Sequence, residues 1–97
     1  MIDDLDTILP FLRWCLDEDE HDPGGWPAER VTAEVAAKRR IIAAYETAQR
    51  DWMDAVQAMD PDATHRDVAA GRIIGLGDAI RALAYVYNDR LERYSNR

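Results

Sequence analysis

Several residue types and patterns are scarce in this sequence, and each scarcity excludes a class of structure. Cys15 is the single cysteine, which excludes an intramolecular disulfide and a zinc site built from cysteines. No apolar run approaches the roughly 18–20 residues of a membrane-spanning helix. The first residues are acidic, unlike the basic start of a signal peptide. Prolines number four and glycines five, and β-branched runs are absent. We therefore expect a soluble, cytoplasmic, all-α protein.

The negative charge is concentrated near the start of the chain. Residues 1–27 contain eight acids and one base, whereas the remaining seventy residues contain eleven of each. The first quarter therefore carries the whole net charge of −7. Such a surface repels nucleic-acid phosphate and anionic membranes. A basic protein surface or a divalent cation would fit it better.

Apolar spacing predicts three helices in a single domain, 1–97. The first helix ends near residue 20 and begins near residue 3 or residue 7. Proline suits the first turn of a helix, so Pro10 favours Asp6 or Thr7 as the N-cap. After a Pro/Gly-rich loop at 21–27, the second helix is predicted over about 28–59.

The third helix is predicted over about 65–94. The segment 60–62, Asp-Pro-Asp, breaks the chain before it, and Thr64 resembles its N-cap. Two long helices joined by a tight turn form an antiparallel hairpin. The predicted fold is therefore this hairpin with the shorter N-terminal helix packed on it, a three-helix unit.

Three glycines lie inside the third predicted helix, at positions 71, 75 and 77. Each costs up to about 1 kcal/mol relative to alanine in a helix interior. Two interpretations follow. The glycines admit another helix at close range, or the helix breaks near Gly75–Asp78, with Asp78 as the N-cap of a shorter final helix.

Residues that step by four and three along the two long helices form continuous apolar seams. The second predicted helix would be about 48 Å long. It needs a partner along its length, which is either the third helix or a second copy of the protein. We therefore predict a homo-oligomer. The candidate oligomer seam consists of Val35, Ile42, Tyr45, Trp52, Val56, Ile73, Leu76, Ile80 and Tyr87.

The acidic run at 17–22 is the most conspicuous polar feature. A charge run at a helix end is usually a solvated face. It could also bind a partner protein or, with His21, a divalent cation. The candidate partner-binding patch consists of Asp17, Glu18, Asp19, Glu20 and Asp22.

The remaining polar motifs favour surface roles. His21 and His65 lie at helix boundaries and have no serine or cysteine partner at a recognisable spacing. In the basic triplet at 38–40, the lysine lies on the inward seam, whereas Arg39 and Arg40 are expected to face solvent. An all-α nucleotide pyrophosphohydrolase would need facing acidic pairs to hold Mg²⁺. The inward positions are apolar, so no enzyme, metal or cofactor is predicted.

Residues 12–20 read LRWCLDEDE, and residues 30–41 read RVTAEVAAKRRI. These two stretches resemble a family of small uncharacterised proteins from actinobacteria and their phages. Residues 12–20 and 30–41 resemble its LRxxLDEDE and RVLAEVxAKRRI blocks, with the loop at 25–27 between them. Residues 80–84, followed by Tyr87 and Tyr94, resemble its closing LALxY segment. Many members carry histidine and cysteine pairs in the middle of the chain. Here only His65 lies between 42 and 79, so the resemblance implies no metal site.

The resemblance implies a bacterial or phage protein without an established activity. Together with the residue patterns, it favours a non-catalytic protein-interaction or regulatory protein. A Mg²⁺-dependent hydrolase of the pyrophosphohydrolase type and a purely structural small oligomer are the alternatives. If the acidic patch binds a partner, charge reversal at Asp17, Glu18, Asp19 and Glu20 should abolish binding and preserve the fold.

Overall fold

The structure is a computed structural model that describes residues 4–58 and 63–97, with only the backbone for 63–65. These residues form helices and no strand: α1 (Leu5–His21), α2 (Ala28–Gln57), α3 (Ala63–Val86), a 3₁₀ turn (Asn88–Arg90) and α4 (Leu91–Ser95). The all-α prediction is confirmed. The predicted break at 60–62 and the His65 side chain lie outside the described residues. Helix α3 begins at Ala63, so Thr64 lies inside the helix and the prediction of Thr64 as its N-cap is wrong.

Helices α2 and α3 form the predicted hairpin, and α1 packs against both. The pairing is antiparallel, because Tyr45 lies beside Gly77 whereas the earlier Lys38 contacts the later Tyr87. The 30 residues of α2 span about 45 Å, so this helix accounts for most of the 53 Å length of the molecule. The predicted three-helix unit is therefore confirmed.

Helix α1 begins earlier than Pro10 suggested. Asp4 is the N-cap, and its carboxylate accepts a hydrogen bond from the Asp6 amide at 3.1 Å. The prediction of Asp6 or Thr7 as the cap is wrong. Pro10 lies inside the helix, where it removes the amide donor to the Asp6 carbonyl. Both Pro10 and Asp6 are exposed, so the lost hydrogen bond lies on the solvent side of the helix.

Helix α3 is continuous through its glycines and ends at Val86, so the alternative break at Gly75–Asp78 is wrong. The interruption comes instead at the 3₁₀ turn, where Asn88 and Asp89 are poor helix formers. The predicted single helix over 65–94 is thus two helices. After the turn, Tyr94 of α4 packs edge-on against Phe11 and Trp14 of α1, with ring centroids 5.2 and 5.4 Å apart.

Close helix approach explains one glycine of the three. A Cβ atom added at Gly77 would lie 3.2 Å from the Leu5 Cδ1 atom of α1 and 3.8 Å from the Tyr45 ring. The same atom at Gly71 or Gly75 would meet nothing within 4 Å. Gly77 therefore lets α1 start close against the hairpin, whereas the other two glycines face open space.

The core lies where α1 covers the hairpin. Its fully buried side chains come from all three long helices: Ile8, Leu12, Cys15, Leu16, Val35 and Ile80. Helix α1 starts at Leu5, which lies at the same height as Tyr45 of α2. The part of α2 that follows Tyr45 therefore has no α1 beside it. The inward positions predicted there, Trp52 and Val56, are exposed, and Ala48 is buried instead. Periodicity identified the face, but the length of α1 decides how much of that face is buried.

Candidate functional site

A groove opens at the end of the molecule where α1 and α3 finish and α2 begins. It encloses about 440 Å³. We call it the Trp26 groove. Its apolar walls come from the loop between α1 and α2, from the first half of α2 and from the end of α3: Trp26, Val31, Val35, Val86 and Tyr87. Trp26 is 59% exposed and Val86 is 69% exposed.

The loop geometry places Trp26 at the rim of the groove. The Asp22 carboxylate accepts a hydrogen bond from the Gly24 amide at 3.2 Å, and the Trp26 amide donates to the Pro23 carbonyl at 3.3 Å. Gly24 and Gly25 have φ values of 65° and 92°, which residues other than glycine rarely adopt. One turn further along, the guanidinium of Arg30 lies 4.5 Å from the centre of the Trp26 ring.

A chain of hydrogen bonds forms the polar floor of the groove and joins α1 and α2 through Tyr87, the residue that follows α3. The Lys38 ammonium donates to the Tyr87 hydroxyl at 2.7 Å, and that hydroxyl donates to Asp19 Oδ2 at 3.0 Å. Tyr87 is buried, whereas Lys38 and Asp19 are half-buried. Each polar group thus has its partner in the protein, as burial requires.

Arg90, from the 3₁₀ turn, completes this network. Its guanidinium lies 2.8 Å from Asp19 Oδ1 and 3.3 Å from Glu18 Oε1, and it stacks on the Tyr87 ring at 4.9 Å. It also donates to the Cys15 carbonyl at 3.4 Å. Burial lowers the pKa of Arg90, but the Asp19 hydrogen bond and charge outweigh burial, so the net pKa is raised. Arg90 therefore stays charged.

The hydroxyl of Tyr87 is held in its neutral form. Burial is the largest effect and raises the pKa of Tyr87, the Lys38 hydrogen bond lowers it, and the Asp19 hydrogen bond raises it again, for a net increase. A phenol with a raised pKa is a poor general base at neutral pH. The geometry thus gives Tyr87 a bridging role between a base on α2 and an acid on α1.

The acidic run is paired with arginines from distant parts of the chain. Arg39 of α2 lies 2.7 Å from Asp17 and 3.4 Å from Glu20. The Asp17 hydrogen bond is the largest cause of a raised pKa for Arg39. Arg39 was expected to face solvent, and its side chain is 37% exposed. It also pairs with α1, because it lies on the side of α2 that faces α1.

The five residues of the predicted acidic patch therefore do different things. Glu18 accepts hydrogen bonds from Arg90 and Arg93, Asp19 lies on the groove floor, and Asp22 shapes the loop. Asp17, Glu20 and Asp22 are the exposed members, and Asp17 and Glu20 both contact Arg39. Sequence reasoning found the acids but missed their partners, since the contacts from Glu18 to Arg90 and Arg93 cross 72 and 75 residues.

The chemistry available to the described residues is limited. No group of three histidine, cysteine or acidic side chains that could hold a metal ion occurs among those described. His21 is exposed at the end of α1, with its Nδ1 atom 2.7 Å from the Asp17 carbonyl, as a helix-capping histidine would be. Burial raises the pKa of the Cys15 thiol to about 11, so this thiol is unreactive at neutral pH.

The predicted oligomer seam divides into two parts. Seven of its members lie in or against the core of one chain: Val35, Ile42, Tyr45, Ile73, Leu76, Ile80 and Tyr87. Trp52 and Val56 are exposed. Only this outer end of the seam is accessible to a second copy while the three-helix unit stays closed.

Replacing Arg90 by methionine should lower the free energy of unfolding by about 1–2 kcal/mol, because half-buried Asp19 and Glu18 lose a charged partner. Arg93→Met is the matched control. Its side chain is 61% exposed against 27% for Arg90, so the change should cost less than about 0.5 kcal/mol. Urea denaturation followed by circular dichroism measures both. If both variants lost the same free energy of unfolding, Arg90 would not be the main cationic partner of Asp19 and Glu18.

A family model described as a family of unknown function (DUF6221) matches residues 19–92. The chain belongs to this family. The match confirms the resemblance found in the sequence and contains the whole groove network of Asp19, Lys38, Tyr87 and Arg90. No curated protein and no solved structure matches the chain. In the described part, no helix is long and apolar enough to cross a membrane.

Proposed function

We propose that this member of the DUF6221 family is a non-catalytic binding protein that takes an apolar, uncharged segment of another protein into the Trp26 groove. The observation that carries the proposal is the pair Trp26 and Val86, two large apolar side chains exposed at the same groove. Exposed apolar surface rimmed by polar residues is typical of interaction sites, and tryptophan often dominates their binding energy.

Charge balance supports an occupant without net charge. Three acids and three bases line the groove: Asp19, Asp22, Glu34, Arg30, Lys38 and Arg90. Most of them already pair within the chain, since Arg30 contacts Glu34 at 3.4 Å and Arg90 contacts Asp19. A charged ligand would have to displace these partners, whereas an apolar segment would bury Trp26 and Val86 without disturbing them.

The acidic run is less suited to partner binding than its sequence suggested. Glu18 and Asp19 hold Arg90, so charge reversal at these positions should destabilise the fold as well as any complex. The same pairing argues against the hydrolase alternative, which needs carboxylate oxygens free to bind Mg²⁺. Origin in a bacterium or phage, a cytoplasmic location and a regulatory role remain predictions from the sequence.

Panning a phage-displayed random-peptide library against the protein tests the proposal. We expect the enriched peptides to be apolar and to carry little charge. Trp26→Ala and Val86→Gln should each weaken their binding at least about tenfold, that is, by about 1.4 kcal/mol. Val68→Gln is the matched control, because Val68 is 58% exposed on α3 and lies outside the groove.

Two results would overturn the proposal. The first is a library that yields no enriched peptide. The second is peptides that bind the Trp26 and Val86 variants as tightly as the parent protein, which would place binding elsewhere on the surface.

A further inference from the structure

The last part of α2 carries an apolar face that is exposed and that no described residue covers. Leu5, the first residue of α1, lies beside Gly77, at the same height along the hairpin as Tyr45. Helix α2 continues for twelve residues beyond Tyr45. Trp52, Met53 and Val56 lie in this stretch and are exposed, Met53 at 50%. By helical periodicity, they follow the face that α1 covers earlier in the helix.

The polar rim of this face has a twofold pattern along the helix. Thr47, Arg50, Asp54 and Gln57 form one stripe beside Met53, since they are spaced by three, four and three residues. The stripe is symmetric about position 52. Arg50 lies two residues before it and Asp54 two residues after it, so a base and an acid occupy equivalent places.

The two charges are not paired with each other within the described part of the chain. Arg50 donates a 3.3 Å hydrogen bond to Thr47, and no ion pair joins Arg50 to Asp54. In a helix, a base placed four residues before an acid is the weaker order for such a pair. Both side chains therefore keep their capacity for a partner outside the chain.

We propose that a second copy of this chain covers the face, with the two α2 helices packed antiparallel across a twofold axis near Trp52. In such a packing, residues at equal distances on either side of the axis contact each other. Arg50 of each copy would meet Asp54 of the other copy, and Thr47 would meet Gln57. On the opposite flank of Met53, Trp52 would meet its own counterpart.

This arrangement explains features that a foreign partner would not require. A foreign helix would need charges complementary to Arg50 and Asp54, whereas a second copy supplies them through symmetry alone. Apolar Met53 and Val56 would lie at the centre and the charges at the rim, as is usual in interfaces. The interface is independent of the Trp26 groove, which lies at the other end of the molecule.

The solution mass, measured by light scattering on a sizing column over a wide range of concentrations, tests the proposal. We expect a species of twice 11.1 kDa. Met53→Lys should give a monomer with unchanged helical circular dichroism, because this exposed side chain contributes little to the fold. Val86→Lys, at an exposed position outside the face, should leave the dimer intact.

A charge exchange tests the geometry. Arg50→Asp and Asp54→Arg should each raise the dimer dissociation constant by about tenfold or more, because each creates two like-charged pairs. The double variant Arg50→Asp/Asp54→Arg should restore it to within about threefold of the parent value. Failure of this rescue would overturn the antiparallel arrangement.

A parent protein that is monomeric throughout, or a dimer that survives Met53→Lys, would overturn the proposed interface. Neither result bears on peptide binding in the Trp26 groove. Conversely, Trp26→Ala should leave the mass unchanged, so the two proposals can fail separately.

Discussion

Replacing Leu12 by alanine is expected to lower the free energy of unfolding by about 3 kcal/mol. Leu12 is completely buried in the core, where α1 faces both helices of the hairpin. Truncation removes apolar contacts and leaves a cavity that rigid helices fill poorly. A domain of this size has a total stability of about 5–15 kcal/mol, so this one change should remove a large part of it.

Leu9→Ala is the matched control for this prediction. Leu9 lies on the same helix and packs at the edge of the core, but it is only partly buried. Its truncation should therefore cost about 1 kcal/mol. Urea denaturation followed by circular dichroism measures both values. Similar small losses would show that Leu12 of α1 is not buried against the hairpin.

Periodicity was sufficient to predict the helices and the buried side of each. Val35, Ile42 and Tyr45 are buried as their spacing indicates, because a helix that packs must bury one stripe. The extent of burial was not predictable in this way. Trp52 and Val56 continue the same stripe and are exposed, since α1 starts at Leu5 and does not run beside the end of α2.

The spacing of apolar residues did not predict where the helices begin and end, because capping and turn residues decide these boundaries. The Asp4 cap and the burial of Ile8 stabilise the first turn of α1 despite Pro10. At the other end, the turn at Asn88–Arg90 keeps Tyr87 and Tyr94 on the apolar side, so the stepping by three and four runs through the interruption unchanged. A pattern that survives the break cannot reveal it.

The groove was the hardest feature to predict, because its parts are distant in sequence. Asp19 and Tyr87 are joined by a hydrogen bond across 68 residues. Arg90, which follows Tyr87 closely in the sequence, forms an ion pair with the same Asp19. An acidic run read alone looks like a solvated face. What its partners are depends on how α1 and α3 align, which is a property of the packed fold.

Alkaline pH should reveal the burial of Cys15 through stability. Burial raises the pKa of this thiol from 9.0 to about 11, with Arg90 acting to lower it and Glu18 and Asp19 to raise it. The unfolded chain therefore loses the thiol proton near pH 9, whereas the folded chain keeps it to about pH 11. The folded state binds more protons in this window, so stability falls as pH rises through it.

The expected loss between pH 9 and pH 11 is about 2–3 kcal/mol, since each pKa unit corresponds to about 1.4 kcal/mol. Cys15→Ala removes the titrating group. Its stability should start lower, because a buried sulfur is lost, and then fall less, so that the two curves converge near pH 11. The pKa values of Tyr45 and Tyr87 are also raised, chiefly by burial, and both tyrosines are present in the parent and the variant. The difference between the two urea-denaturation series therefore isolates the thiol, and parallel curves would mean that Cys15 is accessible to water in the folded protein.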